Sequence, residues 1–378
     1  MQTVTTRREA PVTVPALYMA METGVEKWKV GFTCGAGQQP RIRTVDTGDL
    51  ARLGEEIGQA KRRFGLPADA PVHSCYEAGR DGFWIHRALE RMGVHNRVVD
   101  SASIQVDRRA RRAKSDRLDV VGLLDLVIRR CRGEDRVCRV CIPPSPVAED
   151  LRRLDREMEE ATRDRTRSIN RIKSFLATEG VYLRGRGLPD DLSAIRTWEG
   201  AELPIRMRGH IEREREKLQL IERQMDVLKA ERDAVMSSNT ERAAVIARKL
   251  QGLRAVGPTG GWVLAAEIFA WRKFNNGRQL GALVGLSPTP YQSGTLRHEL
   301  GISKAGNAHV RSVLVELAWQ WVRYQPESAL TIWWRRHSGG RRGGQRNKSI
   351  VALARKLLIA LWKYVEFDEL PEGAVLKA

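Results

Sequence analysis

The sequence predicts an α/β plus α protein: a mixed-sheet domain, then an antiparallel helical hairpin, and then a mostly helical C-terminal region. Three changes of pattern support this prediction. Short β-rich runs alternate with helical spacing up to residue 145, heptad spacing follows, and glycine turns separate further helices from residue 250. We therefore expect a disordered start at 1–15 and domains at 16–145, 146–245 and 246–378.

The first domain is predicted to contain three strands followed by alternating helices and strands, which implies a mixed sheet. Ser115 precedes a helix with acids in its first turn, an arrangement that suits a helix N-terminus. The predicted strands are 16–22, 26–34, 40–47, 70–79 and 94–100, and the predicted helices are 50–65, 83–93 and the segment capped by Ser115.

The middle region has the spacing of a coiled coil. Apolar residues recur at alternating four- and three-residue steps on two charge-rich helices joined through 180–204, which predicts an antiparallel coiled-coil hairpin. Arg232 interrupts the second stripe, so an ordinary helical bundle stays an alternative. The two stripes are Val147, Leu151, Leu154, Met158, Ala161, Ile169, Ile172 and Leu176, and Leu218, Ile221, Met225, Leu228 and Val235.

The C-terminal region begins with helix, glycine turn and helix at 250–268. Such a helix-hairpin-helix-like element can present backbone N–H groups to a phosphate, and a tight helical corner is the alternative interpretation. Further helices are predicted at 308–324 and 346–365. The basic, glycine-rich segment 335–348 between them is predicted to be a loop, either solvated or tracking a phosphate backbone.

Charge points to a polyanionic partner. The 378 residues include 65 Lys and Arg against 46 Asp and Glu, a net charge of +19, which favours nucleic acid over an anionic membrane surface. No apolar run reaches the length of a membrane span, and the N-terminus lacks the apolar core of a signal peptide. We expect a cytoplasmic protein, without a membrane partner, whose 5 cysteines are reduced.

Four acids of the first domain are candidate metal ligands. Glu22 and Glu77 end predicted strands, and Asp116 and Asp119 share one helix face. If the first and fourth strands are neighbours, these carboxylates converge, and oxygen ligands of this kind bind Mg²⁺. Surface solvation or helix capping is the alternative for each acid. Cations that precede the helix are candidate contacts to a nucleic-acid backbone: Arg108, Arg109, Arg111, Arg112 and Lys114.

Two serines lie in the segment YQSGTLRHELGISKAGNAHVR, at 291–311. From the residues alone, Ser293 is a turn residue, a phosphate binder or a nucleophile. Ser303 is interpreted as a cap of the helix that begins near Gly306, or as a phosphate contact. Neither serine has a histidine–carboxylate pair of the hydrolase kind beside it.

Several motifs together resemble the IS110 family of DEDD insertion-sequence transposases. They are Glu22 followed by YEAG at 76–79 and KSDRLDV at 114–120, and later GLRAVGPTGG, LGALVGLSPTPYQSG and GISKAGNAHVRSVLVELAW. The resemblance covers residues 16–325. It implies a RuvC-like (RNase H-type) first domain, a coiled coil that helps dimerisation, and a C-terminal transposase domain.

The resemblance also implies a mechanism. Such enzymes are bacterial recombinases guided by a structured bridge RNA that pairs with donor and target DNA, and they act as a dimer of dimers with sites composed from different protomers. The acids bind Mg²⁺, and the serine that matches Ser293 attacks the scissile phosphate and forms a phosphoserine link. We expect Arg297, Lys304 and Arg311 to neutralise phosphate charge.

The sequence departs from the family at one acid: Glu22 stands where the family has Asp. Two other functions stay open, and the departure at Glu22 suggests the second of them. One is a metal-dependent, junction-resolving nuclease that uses water in place of Ser293. The other is a non-catalytic nucleic-acid-binding relative.

Overall fold

The computed structural model describes residues 15–104, 115–185, 187–189, 191–238, 240–293, 296–338 and 344–377. At 102, 290–293, 296–300 and 344–347 the description is limited to the backbone. The chain divides into two compact units, Met1–Pro144 and Ser145–Ala378. Each unit is described by itself below.

The first unit is built on a mixed sheet, as predicted, and this sheet has six strands in the described part of the chain. The sheet order is β3-β2-β1-β4-β5-β6, with β1 parallel to β4 and β4 parallel to β5, and with antiparallel pairs elsewhere. The strands are β1 (Leu17–Thr23), β2 (Lys27–Thr33), β3 (Arg41–Asp46), β4 (Val72–Glu77), β5 (Val94–Val99) and β6 (Val140–Cys141). Prediction missed β6, because two residues are too few to produce a periodic pattern.

Three helices cover this sheet: α1 (Leu50–Arg63), α2 (Trp84–Arg91) and α3 (Asp116–Cys131). Strand residues alternate between its two faces. Met19 and Met21 belong to the core that contains α1 and α2 residues, whereas Tyr18 and Ala20 belong to the core that contains α3. The predicted N-cap of α3 is confirmed, because the Ser115 side chain accepts a hydrogen bond from the Leu118 N–H.

The second unit begins with two 33-residue helices, α4 (Pro146–Thr178) and α5 (Ile205–Ser237). They pack antiparallel, because Arg165 pairs with Glu222 whereas the later Arg171 pairs with the earlier Glu214. Five residues of the predicted stripes are buried: Ile169, Ile172, Leu176, Leu218 and Leu228. Val147 departs from its stripe and is 53% exposed.

The rest of the second unit is mostly helical, with one β-hairpin. Its helices are α6 (Arg242–Gln251), α7 (Pro258–Leu264), α8 (Gly277–Leu283), α9 (Ala308–Tyr324), α10 (Ala329–Ser338) and α11 (Gly344–Phe367). A π-helical turn, Ala265–Phe269, extends α7. The hairpin strands are β7 (Pro288–Ser293) and β8 (Leu296–Ile302).

The loop predicted at 335–348 is wrong for most of its length. Helix α10 continues through Ser338 and α11 already begins at Gly344. Packing explains the extension of α10, because the Trp334 side chain is buried against Trp319 and Trp333 stacks on His337. In the part of the chain that the structure describes, no helix is both long enough and apolar enough to cross a membrane. All five cysteines are free thiols.

Candidate functional site

Two carboxylates lie at one edge of the first unit's sheet. Strands β1 and β4 are parallel and in register, with Met21 opposite Tyr76. Glu22 and Glu77 are the next residues on the two strands. Because the carboxyl ends of neighbouring parallel strands meet at the same sheet edge, these acids lie side by side there.

Both carboxylates also lie on the same face of the sheet. Ala20 and Cys75 pack in the core that contains α3. Side chains two residues apart on a strand share a face, so Glu22 follows Ala20 and Glu77 follows Cys75 onto the α3 side. Both glutamates are partly exposed. The sequence could not supply this face assignment, since it depends on which side of the sheet α3 covers.

Helix α3 runs antiparallel to β1 and β4. Near its middle, the Leu123 carbonyl accepts a hydrogen bond from the Cys75 thiol at 3.3 Å. At its end Cys131 lies near Tyr18, whose pKa is raised by burial and then by that thiol. The N-terminal turn with Asp116 and Asp119 is therefore directed towards the edge that carries the two glutamates.

Carboxylates are a ligand type that Mg²⁺ accepts, and α3 covers the sheet face that Glu22 and Glu77 share. Mg²⁺ is commonly held by one or two carboxylates together with substrate phosphates. Among the residues that the structure describes, no group of three His, Cys, Asp or Glu side chains is close enough to hold a metal ion. The four predicted ligands, all within the described part of the chain, therefore do not form one metal cluster there, and their role stays a prediction. The cations predicted beside it, Arg108, Arg109, Arg111, Arg112 and Lys114, lie outside the described residues.

Ser293 is the last residue of β7, and its backbone pairs with Leu296 across the hairpin. The intervening residues, 294–295, lie outside the described part of the chain. Further from the turn, Gln292 pairs with Arg297 and Tyr291 with His298. The serine therefore occupies the strand end beside a two-residue connection, while its neighbours form a regular antiparallel ladder.

The other end of the hairpin is tied to the C-terminal end of α8. The Ser303 amide donates to the Ser287 carbonyl at 2.9 Å, and the Lys304 amide donates to the Gly285 carbonyl at 3.1 Å. Arg311 crosses this junction, because its Nη1 donates to the carbonyls of Val284 and Lys304. These bonds give Arg311 a structural role, and its predicted contact to phosphate stays a prediction. Lys304 is exposed.

The predicted capping role of Ser303 is wrong. Helix α9 begins at Ala308, and its N-cap is Asn307, whose Oδ1 accepts from the Val310 N–H at 3.1 Å. Ser303 lies too far upstream, where its amide extends the hairpin ladder. The asparagine of GNAH, Asn307, could have been predicted as the N-cap from the sequence, since Asn is among the preferred N-cap residues.

A buried charge cluster lies next to this junction, and sequence analysis missed it. Glu267, in the π-helical turn, is 3% exposed. Its carboxylate lies 3.2 Å from Arg152 and 3.4 Å from Arg156, both on α4, and accepts from Asn307 Nδ2 at 3.1 Å. Single π-helical turns within α-helices are frequently found at functional sites.

His309, in the first turn of α9, extends the cluster to two acids of α4. Its Nε2 lies 3.1 Å from Asp155 and its Nδ1 lies 3.2 Å from Glu159. Burial alone would lower the pKa of His309, but the hydrogen bond to Asp155 and the charges of Asp155, Glu159 and Glu267 outweigh it. The pKa of His309 is therefore raised above its ordinary value.

A cationic surface lies at the end of α10. The rings of Trp333 and His337 stack with centroids 4.3 Å apart, and Lys356 Nζ lies 4.6 Å from the Trp333 ring centroid. Arg335 and Arg336 are exposed on the same helical turn. Aromatic rings beside cations are a common arrangement for contacting nucleic acid.

Comparison with known proteins defines the class. Over 390 aligned positions the chain is 38% identical to a putative transposase, y4rJ, of Sinorhizobium fredii, covering 98% of both chains. It is 28% identical over 255 positions to a second putative transposase of that species, y4qE, covering 68% of this chain and 60% of the relative. It is 27% identical over 224 positions to a Coxiella burnetii transposase for the insertion sequence element IS1111A, covering 58% of this chain and 60% of the relative.

These similarities define an insertion-sequence transposase, an enzyme that processes DNA. Residues 247–332 match the family described as "Transposase IS116/IS110/IS902 family". The chain belongs to that family. The matched segment runs from α6 into α10 and includes the hairpin with Ser293, the π-helical turn and the N-cap of α9.

Proposed function

We propose that this transposase exchanges DNA strands through a covalent link between Ser293 and a scissile phosphate. The observation that carries the proposal is the position of Ser293, at the last residue of β7 inside the segment that matches the family. A serine at the end of a hairpin, beside its connection, is in a position from which it can approach a phosphate of bound DNA.

The proposed step is a phosphoryl transfer. The Ser293 oxygen attacks phosphorus, the bond from phosphorus to a sugar oxygen breaks, and that oxygen leaves as a hydroxyl after taking up a proton. The serine proton passes to solvent or to a base supplied in the complex. A phosphodiester between serine and DNA results, so a second DNA hydroxyl can rejoin the strand without ATP.

Glu22, Glu77, Asp116 and Asp119 are proposed to hold Mg²⁺, which when bound would stabilise negative charge on the phosphate. The shared face and shared sheet edge of the two glutamates support this assignment. Glu22 reaches one methylene further than the family's Asp, and a partly exposed side chain at a strand end has room for that difference.

Nucleic-acid binding is proposed at cationic surfaces of both units. Lys304, Arg297 and the α10 surface of Arg335, Arg336, His337 and Lys356 are candidate phosphate contacts, along with the arginine-rich segment before Ser115. A net charge of +19 suits a complex with DNA and a guide RNA. We propose bridge-RNA guidance and a dimer of dimers on the family resemblance.

The test is covalent trapping. Purified protein is incubated with labelled donor DNA, Mg²⁺ and RNA from its own element, and denaturing gels then reveal protein-linked DNA. We expect adduct with the parent and with Ser287→Ala, and none with Ser293→Ala. Cleaved DNA with free termini and no attached protein would favour the metal-dependent nuclease, and intact DNA despite binding would favour the non-catalytic relative.

A further inference from the structure

The buried Glu267 joins three elements of the second unit at one carboxylate. Arg152 and Arg156 approach it from α4, and Asn307 approaches it from the first turn of α9. The Arg152 side chain is only 10% exposed. Removing such charges from water is costly, and apolar residues of similar volume often stabilise a core more. The buried Glu267 carboxylate is therefore better explained by a role in fixing the relative positions of these three elements than by a role in overall stability.

Asn307 connects this carboxylate to the base of the β7–β8 hairpin. Its backbone N–H donates to the Leu283 carbonyl at 3.0 Å, and its side chain caps α9 through Val310. The remaining amide group of the side chain donates to Glu267. One residue therefore fixes the end of α8, the start of α9 and the segment that leads out of β8.

The junction has little room to shift. Gly306 has φ +120°, and a Cβ there would overlap the Leu283 carbonyl oxygen. Gly285 has φ +68°, and a Cβ there would overlap the Ala305 carbonyl oxygen. Because these backbone segments are closely packed, they shift together, and a displacement of Asn307 therefore also displaces the hairpin strands.

We infer that Glu267 and Asn307 are positioning residues, which hold the hairpin base in register with α4 so that Ser293 is presented to the phosphate in a reactive geometry. This inference rests on the proposed function of Ser293. Neither residue contacts the reacting atoms. Misplacement of a nucleophile by about 1 Å can slow the chemical step about 100-fold.

A reciprocal exchange of the two side chains tests the inference. Asn307→Asp keeps the N-cap acceptor but sets a second carboxylate against Glu267. Glu267→Gln removes the carboxylate that Arg152 and Arg156 need. The double variant, Glu267→Gln with Asn307→Asp, restores one amide and one carboxylate in exchanged positions and leaves the net charge unchanged. Glu316→Gln, on an exposed part of α9, is the control for loss of one carboxylate.

For each variant, three quantities are measured: the rate of adduct formation at saturating DNA, the DNA concentration that gives half saturation, and the melting temperature. We expect each single variant to lose about tenfold or more in rate with little change in half-saturating DNA. The double variant should recover most of that loss, and the control should match the parent. Single variants with the parental rate, or a double variant no better than the worse single one, would overturn the inference.

Hydrogen exchange separates this inference from the serine assignment. The amides of Leu286, Ser303 and Lys304 donate at the hairpin base. We expect Asn307→Asp to speed their exchange and the double variant to slow it again, whatever residue attacks the phosphate. Unchanged hydrogen exchange in Asn307→Asp would contradict the positioning role. Adduct formation by Ser293→Ala would contradict only the assignment of Ser293 as the nucleophile.

Discussion

Glu22 and Glu77 directly follow Met21 and Tyr76, which are paired across adjacent parallel strands, and both glutamates face α3. Two acids far apart in sequence are thus brought together by one strand pairing. The N-terminal turn of α3 adds Asp116 and Asp119 on the same side. This relationship is the structural basis for proposing a metal-assisted step.

Removing one of these carboxylates is expected to abolish metal-dependent chemistry. Glu77→Gln keeps the shape of the side chain but removes the negative charge that would hold Mg²⁺. We expect strand transfer to fall about 100-fold or more, with the fold unchanged. Glu26→Gln, an exposed acid in the β1–β2 connection, is the matched control. An active Glu77→Gln with unchanged Mg²⁺ dependence would exclude Glu77 as a ligand.

A methyl group at Gly306 is expected to destabilise the second unit. It would overlap the Leu283 carbonyl oxygen and would force an alanine to keep φ +120°. We expect Gly306→Ala to lower the free energy of unfolding by roughly 3–5 kcal/mol, from overpacking together with backbone strain. Chemical denaturation measures this change.

Gly301→Ala supplies the comparison, because Gly301 also has positive φ, +91°, but a Cβ there has nothing within 4 Å. The expected cost is about 1–2 kcal/mol, from backbone strain alone. Equal losses in the two variants would mean that close packing at Gly306 is not what the junction requires.

The stability of the protein should decrease as pH rises past neutrality because of His309. Its pKa is raised in the folded state by Asp155, Glu159 and Glu267, against the effect of burial, so folding binds its proton more tightly. That contribution is complete below the ordinary pKa of 6.5 and is lost as pH rises through the folded-state pKa.

Melting temperatures of the parent and of His309→Gln across pH 6 to 9 measure this pH-dependent stabilisation. The variant should lose the part of the pH dependence that His309 contributes. His95→Gln, an exposed histidine of the first unit, should keep the parental profile. A parental profile in His309→Gln would mean that the histidine is not stabilised as a cation.

The α4–α5 pair is expected to depend on a narrow set of buried side chains. Ile172 is fully buried, at 0% exposed, between the two helices. We expect Ile172→Ala to cost about 2–5 kcal/mol of unfolding free energy through lost burial and a cavity. Val147→Ala, at the exposed start of α4, should cost less than about 0.5 kcal/mol. Similar effects of the two substitutions would contradict the assigned interface.

The sequence was sufficient for the elements whose patterns are local. The β-rich or alternating runs of β1 to β5, the Ser115 cap and the heptad steps of α4 and α5 all arise within single segments. The mixed sheet followed from the order of those elements. The RuvC-like classification and the supercoil of α4 and α5 remain predictions.

The parts that could not be predicted depend on distant residues. The Glu267 cluster combines residues of α4, the π-helical turn and α9, and no local period links Arg152 to Asn307. The loop predicted at 335–348 failed because glycine and arginine content suggested solvation, whereas Trp334 packing keeps α10 helical through Ser338. Burial and tertiary contact overrode local composition in the second case.

The central claim is that Ser293 becomes covalently linked to DNA, and peptide mapping of the trapped complex tests it most directly. After nuclease and trypsin treatment, Ser293 lies in the peptide 279–297, which also contains Ser287. We expect a nucleotide remnant on this peptide, assigned to Ser293 by fragment ions. A remnant on Ser287, on another residue, or on no peptide despite DNA cleavage would contradict it.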